Sequence, residues 1–266
     1  MFLDQIVKQK RQEVSLLTKK LTVRHQEKAL QLPPCRPFAE SLFRRQGQPA
    51  LIAEVKPASP SKGVIRESVN PVTTASSYET GGASAVSVLT DELFFNGKLD
   101  YLTQIKDAVT VPVLRKDFIL DSVQLIQSRL CGADAVLLIV AMLEKEKLRA
   151  LSEEARELGM DVLIEIHQES ELAAALEANP DVLGINNRNL FTFETDLKVT
   201  ETLFPLIPHG IPVIGESGVG SLKDWQRLSR VGVDGILVGE FLMRQGSPEA
   251  GVKQLVAGGT GCTEPF

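Results

Sequence analysis

Residues 51–63 read LIAEVKPASPSKG, an apolar run that ends in charge. Side chains alternate faces along a strand, so Ile52, Glu54 and Lys56 share one face and Leu51, Ala53 and Val55 the other. In a closed parallel barrel the outer face meets helices and the inner face meets the barrel interior. Two charges on an inner face are costly unless they sit at the open mouth. That mouth, at the C-terminal ends of the strands, is where such barrels do chemistry. The loop that follows carries Ser59, Ser61, Lys62 and Gly63, a composition suited to an anion. A barrel then requires the rest of the chain to supply more strands ending in polar groups, each followed by a helix.

The chain meets that requirement. Strand patterns recur as AVSVLT at 85–90, VLRK at 113–116, AVLLIV at 135–140, DVLIEI at 161–166, VLGIN at 182–186, PVIGE at 212–216 and GILV at 235–238. Helical segments separate them, with recognisable ends. Asn70-Pro71 is an N-cap followed by proline at the first helical position, and Gly81-Gly82 is a stop. Asp121 opens another helix that stops at Cys131-Gly132, and Gly159 closes the next. Ser221 with Asp224 resembles a capping box. Ser247-Pro248 opens the last helix. Eight strands alternating with eight helices imply an α/β fold, a single (β/α)8 barrel. An open doubly wound sheet also alternates strand and helix, but even spacing of eight strands favours closure. The units read as structural repeats without a repeated sequence.

About 45 residues precede the first strand. Phe2, Ile6, Val14, Leu17 and Leu21 recur at helical spacing among charged residues. Residues 32–37, LPPCRP, break that helix, and residues 38–45 read as a second, shorter one. Such an extension either plugs the barrel floor or covers the mouth. The domain reading is an N-terminal helical extension at 1–46 covering the mouth, a catalytic barrel at 47–258 and a tail at 259–266.

The 266 residues carry a formal net charge of −5, which argues against a nucleic-acid partner. No apolar run is long enough to span a membrane, and the N-terminus lacks a signal-peptide layout, so no membrane partner is expected. Cys35, Cys131 and Cys262 form no metal or disulfide pattern, consistent with a reducing cytoplasm. With only His25, His167 and His209, no metal site is expected.

The strand ends bring together Glu54, Lys56, Lys116, Glu165, Asn186, Glu216 and Ser217. Lysines beside glutamates shift one another's pKa values and so hold both acid and base forms near neutral pH. His167, two residues beyond Glu165, reads as structural, and Trp225 as core. The loops Ser217-Gly218-Val219-Gly220 and Val238-Gly239-Glu240 allow close backbone approach to a ligand. With the helix start at Ser221 they suit a phosphate, faced by Lys56 and Ser59 from the first strand.

The segments IAEVKPASPSKG, SVLTDELFFNG, LRKDFI, LIEIH, GINNRNL, IGESGV and ILVGEFLM, in that order, resemble the indole-3-glycerol phosphate synthase family across residues 2–256. The resemblance implies ring closure of 1-(2-carboxyphenylamino)-1-deoxyribulose 5-phosphate, with loss of carbon dioxide and water, by an enzyme that uses no cofactor. It implies that Lys116 protonates the substrate carbonyl, and that Lys56 and Glu165, with Glu54 beside them, serve the dehydration. Asn186, Arg188, Glu216 and Ser217 would hold the substrate's polar groups. Ser59, Gly218, Gly239 and the backbone of Glu240 would line the phosphate site, and Phe95, Phe118 and Leu190 would wall the aryl ring. Phe241 departs from the family pattern, which commonly has a small residue there. A monomer is expected. Two other readings stay open: a different sugar-phosphate enzyme on this barrel, such as an isomerase, and a binding protein that has kept the fold.

Overall fold

The computed structural model describes residues 2–44, 47–59, 63–66, 69–190 and 192–258. Eight parallel strands close into a barrel: β1 (Ala50–Val55), β2 (Ala85–Leu89), β3 (Val113–Lys116), β4 (Ala135–Ile139), β5 (Asp161–Ile166), β6 (Val182–Asn186), β7 (Val213–Glu216) and β8 (Gly235–Val238). Closure is made by β1 against β8, in a register that runs from Ala50 opposite Gly235 to Ala53 opposite Val238. The open doubly wound alternative is therefore excluded.

Alternation along each strand divides the core in two. Leu51, Ala53 and Val55 join the layer between strands and outer helices. Ala50 and Ile52 join the interior cluster with Ala85, Leu114, Leu137, Leu163, Val182, Ile214 and Leu237. The last inward positions towards the C-terminal end are Glu54, Lys116, Glu165, Asn186 and Glu216, so the interior changes from hydrocarbon to polar and charged groups at the mouth.

The helices are α1 (Phe2–Lys20), α2 (Val23–Leu30), α3 (Phe38–Ser41), α4 (Pro71–Gly81), α5 (Glu92–Phe95), α6 (Leu99–Ala108), α7 (Ser122–Leu130), α8 (Lys145–Glu157), α9 (Leu172–Glu177), α10 (Lys198–Leu203), α11 (Leu222–Val231), α12 (Glu240–Met243) and α13 (Pro248–Gly258). Most follow the sequence boundaries within a residue or two. Four short elements were not expected from sequence: α2, α5, α12, and a hairpin that pairs Ala58–Ser59 with Gly63–Val64. The helix read at 38–45 is shorter, ending at Ser41. Arg45, Ser61, Lys62 and the tail at 259–266 lie outside the described residues.

The barrel floor shows a repeat that the sequence reading missed. Helices α4, α7, α8 and α11 end at left-handed glycines, Gly82, Gly132, Gly159 and Gly232, with φ of 102°, 88°, 81° and 106°; after α9 Asn179, φ 53°, takes that place. Two residues later stand Ser84, Asp134, Asp161, Asp234 and Asp181. The carboxylates of Asp134, Asp181 and Asp234 accept from the N–H groups of Val113, Val162 and Val213, each at 2.9 Å. Each such carboxylate satisfies a strand-start donor on the preceding strand, so a helix stop, one spacer and an acid form one joint. Gly-Ala-Asp and Gly-Val-Asp at 132–134 and 232–234 are its sequence trace, with Asn-Pro-Asp at 179–181 as a variant. Gly-Met-Asp at 159–161 has the same pattern, but Asp161 accepts from Ala39 of the extension instead.

The N-terminal extension touches the barrel at both ends. Phe38 and Leu42, fully buried, enter the interior cluster from the floor. There Asp134 Oδ1 accepts from Arg36 N–H at 2.7 Å and Asp161 Oδ2 from Ala39 N–H at 2.9 Å. At the other end, Leu3 and Ile6 of α1 line the mouth. The buried face of α1 is Leu3, Ile6 and Lys10. Of the apolar face read from sequence Ile6 is buried, whereas Val14, Leu17 and Leu21 are only half-buried, because the helix meets the mouth through its first three turns and buries a lysine there. Lys10 Nζ lies 2.8 Å from both Asp91 Oδ2 and Asp117 Oδ1, which follow β2 and β3. Burial works against the lysine's charge, but the two carboxylates outweigh it and hold its pKa above the ordinary lysine range.

Candidate active site

A cleft of about 830 Å³ opens at the C-terminal mouth. Every site residue named from sequence lines it: Glu54, Lys56, Ser59, Phe95, Lys116, Phe118, Glu165, Asn186, Arg188, Leu190, Glu216, Ser217, Gly218, Gly239 and Glu240. Strand periodicity accounts for this, since each polar residue stands at the last inward position of its strand or in the loop just beyond.

Lys116 is the centre of charge. Its Nζ lies 3.0 Å from Glu165 Oε2 and 3.0 Å from Glu216 Oε2. Burial disfavours the ammonium, but Glu165, Glu216 and Glu54 overcome it and raise its pKa above the usual lysine range. Burial also opposes the charge of Glu165, yet Lys116, His167 and Asn186 hold that carboxyl well below the carboxylate range. Glu216 goes the other way. Burial and the nearby Glu165 outweigh Lys116 and push it up to about 7. One cation is thus shared by an ionised carboxylate and one that can carry a proton at neutral pH.

Glu54 and Lys56 form a second pair, 3.3 Å apart. Lys56 Nζ also sits 5.5 Å from the centroid of the Phe95 ring, over its face. Phe95 meets Phe118 at 5.9 Å between centroids, an aromatic wall completed by Leu190.

Two glycines shape the charged groups. A Cβ on Gly184, inward on β6, would lie 2.2 Å from Glu216 Oε1. One on Gly239, at the end of β8, would lie 2.4 Å from Glu54 Oε2. The sequence reading gave Gly239 to a phosphate and did not single out Gly184; here both leave space for a buried carboxylate. Neither Glu216 oxygen has a hydrogen-bond partner apart from the Lys116 ion pair, so the notch at Gly184 helps to set where that carboxylate lies.

Facing these groups across the mouth is the loop after β7. Ser217 and Gly218 both adopt left-handed φ, 64° and 92°. For serine that conformation is strained, the kind of outlier found where function demands it. Asn187 holds the turn, donating from Nδ2 to the carbonyls of Glu216 at 3.0 Å and Ser217 at 3.2 Å. The N–H of Gly220 is taken by Asp224 Oδ2 at 3.1 Å. Gly239 begins the one-turn helix α12 on the adjacent strand. Phe241 and Arg244 of that segment also line the cleft, and Arg244 is paired with Glu240 at 3.1 Å.

Sequence reasoning missed a support layer behind the mouth. Asp117 joins Lys10 to Arg115 Nη2 at 2.9 Å and to Thr90 Oγ1 at 2.5 Å. Arg115 faces outward on β3, next to the inward Lys116. The signal was the run Arg-Lys-Asp at 115–117, in which alternate charges point opposite ways. Trp225 is fully buried. Among the described residues no three His, Cys, Asp or Glu side chains converge as a metal set.

A closed parallel barrel with lysines and glutamates converging at its C-terminal mouth belongs to the class of barrel enzymes that work by acid–base chemistry. Within that class the family is specific. The model of the indole-3-glycerol phosphate synthase family matches residues 3–255, and the chain belongs to that family. It is 46% identical over 257 residues to the indole-3-glycerol phosphate synthase of Halalkalibacterium halodurans, covering 96% of this chain and 97% of the relative. It is 51% identical over 229 residues to that of Rhodopirellula baltica, covering 86% and 88%. Among solved structures, orotidine 5'-phosphate decarboxylase from Pyrococcus horikoshii OT3 aligns with a TM-score of 0.61 over 80% of this chain and 100% of that one. At 12% identity that likeness concerns the fold alone.

Proposed function

We propose that the protein converts 1-(2-carboxyphenylamino)-1-deoxyribulose 5-phosphate to indole-3-glycerol phosphate, carbon dioxide and water. The observation that carries this reading is the line Glu165–Lys116–Glu216, placed between an aromatic wall and a glycine-rich turn. An aryl group stacks on Phe95, Phe118 and Leu190, a phosphate lies by Ser59, Gly218, Gly239 and the Glu240 backbone, and the carbons between them reach Lys116.

Ring closure forms a bond between the carboxylate-bearing ring carbon and the ketone carbon. The carbonyl electrons move to oxygen, and Lys116 gives that oxygen a proton. A lysine held so firmly protonated is a weak acid towards a ketone, but a forming alkoxide is a stronger base than lysine and takes the proton. The carboxylate then leaves as carbon dioxide and its electron pair restores the ring. Dehydration follows: Lys56 protonates the departing hydroxyl and Glu165, kept ionised, removes a proton from the neighbouring position. Asn186, Arg188, Glu216 and Ser217 orient the polar groups of the chain. Acid and base are both side chains, so turnover needs no cofactor. One chain supplies every group named, which supports a monomer. Among the described residues no helix is long and apolar enough to cross a membrane, in keeping with a cytoplasmic enzyme.

The test is direct. Purified protein given the aryl-amino ribulose phosphate should generate indole fluorescence and release carbon dioxide in equal amounts. A folded protein that yields neither would overturn the reading.

A further inference from the structure

His167 follows β5 and does not line the cleft, yet it is tied to it. Its Nε2 lies 3.3 Å from Glu165 Oε1, and its Nδ1 lies 3.7 Å from Glu171 Oε2. Glu171 belongs to the 3-10 turn Glu169–Glu171 and is itself buried. The same Oε2 accepts the backbone N–H of His167 at 2.7 Å, and Gln168 Nε2 donates to Oε1 at 3.2 Å. Glu171 is therefore fixed before any titration. The ring contacts are ion-pair contacts rather than aligned hydrogen bonds, which makes the charge on the imidazole the property that matters. The other oxygen of Glu165 lies 3.0 Å from Lys116, which reaches Glu216. From the rim inward, Glu171, His167, Glu165, Lys116 and Glu216 alternate in sign when the imidazole is protonated. The carboxylates acting on the ring are Glu165 from β5 and Glu171 from the 3-10 turn; Lys116 and Glu216 stand one and two groups further on.

We infer that His167, as an imidazolium braced by Glu171, is a positioning residue that holds Glu165 ionised with Oε2 turned to Lys116 and the substrate. The inference rests on the functional reading above, in which Glu165 is the base. Burial works against a charged ring, but Glu165 and Glu171 together raise its pKa to about 9. A ring that merely filled space would need neither carboxylate and would not affect proton transfer.

The chain holds three histidines, His25, His167 and His209, so proton NMR can follow each ring. His167 should titrate well above the ordinary histidine value of about 6.5, and Glu171→Gln should lower its midpoint. Kinetics supply the second measurement. Glu171→Gln keeps an acceptor for the His167 N–H and loses the charge. His167→Gln keeps a donor towards Glu165 and loses the charge. Each should lower kcat about tenfold, because Glu165 loses the contact that turns Oε2 towards Lys116 and the substrate. KM should change little, and the acid limb of the kcat–pH profile should move to higher pH. His167→Ala should do the same more strongly; should it not fold, Glu171→Gln decides. His167 titrating at the ordinary histidine value of about 6.5, or a folded Glu171→Gln enzyme with an unmoved acid limb, would overturn the inference. Unaltered protein that turns over no substrate would instead overturn the functional reading, and the NMR titration would then decide the inference alone.

Discussion

Lys116 has two duties, and a variant exposes both. As proton donor its loss should cut turnover by about 10²-fold to 10⁴-fold, the range for a general acid. As the cation between Glu165 and Glu216, each 1% exposed, its loss leaves two buried carboxylates facing each other. Removing one partner of a buried ion pair costs about 3–5 kcal/mol. A lysine at an open mouth would by itself matter little to folding; its ion pairs to two buried glutamates make it matter. The sign with pH follows from linkage. The folded-state pKa of Glu165 is depressed, so its stabilisation is present above the unfolded value of about 4.3 and lost as pH falls through the lower folded value. Lys116→Ala lacks that stabilisation. Its melting temperature should therefore trail the unaltered protein's most from about pH 5 to pH 8, and the gap should narrow as pH falls from about 4 towards 2. An equal gap at both ends of that range, or near-normal turnover, would contradict the account. The glutamates and lysines themselves were legible, because a charge that ends an apolar strand is tolerable only where the barrel interior opens to water. The space that Gly184 and Gly239 leave for Glu216 and Glu54 was not, since those carboxylates come from other strands.

Among the elements, the N-terminal extension is the one whose role the sequence left divided between floor and mouth. The structure assigns the two ends to different pieces, so two truncations should behave differently. Deleting residues 1–34 removes Leu3, Ile6 and Lys10 from the mouth but keeps Phe38 and Leu42. The barrel should still fold, with catalysis weakened more than stability, because part of the cleft wall and the ion pairs to Asp91 and Asp117 are gone. Deleting residues 1–46 also removes the floor plug. Losing a buried Phe alone typically costs about 3–5 kcal/mol, a large part of a domain's usual stability of about 5–15 kcal/mol. That protein should melt far lower or fail to fold. Thermal melts of both, with turnover of the shorter deletion, check the assignment; full activity in the 1–34 deletion would show that α1 has no catalytic role. The elements missed from sequence, α2, α5, α12 and the hairpin, are too short for a periodicity to show. Lys10 was missed for a related reason: a charged residue on a helix reads as solvent-facing until its partners from β2 and β3 are known.

At the scale of the molecule, the closed barrel was legible because eight apolar strands recur with a helix stop before most of them, and the Gly-x-Asp trace of the floor would have strengthened that reading. The proposed phosphate grip depends on the whole barrel, since β1, β7 and β8 meet there only on closure. Substrate and product carry the same phosphate, so this grip is mostly uniform binding. A ligand that binds only the folded state stabilises it by about 2.7 kcal/mol at 100 times its dissociation constant. Indole-3-glycerol phosphate should raise the melting temperature, and its dephosphorylated analogue much less. Gly218 is a poor place to test the grip with a carboxylate. Its φ is 92°, and a Cβ there would lie 2.7 Å from Leu197 Cδ2 and 2.9 Å from Thr195 Cγ2, so any side chain disturbs the loop. Gly220 is cleaner: a Cβ would meet only Asp224 Oδ2, at 3.8 Å. Gly220→Asp adds negative charge at the cleft with little strain. It should abolish most of the difference between the two ligands and raise KM more than it lowers kcat, because the loop does not touch the reacting carbons. Equal protection by both ligands in the unaltered protein would place the phosphate elsewhere. A Gly220→Asp enzyme that lost kcat with KM unchanged would show that the turn after β7 acts in the chemical step instead.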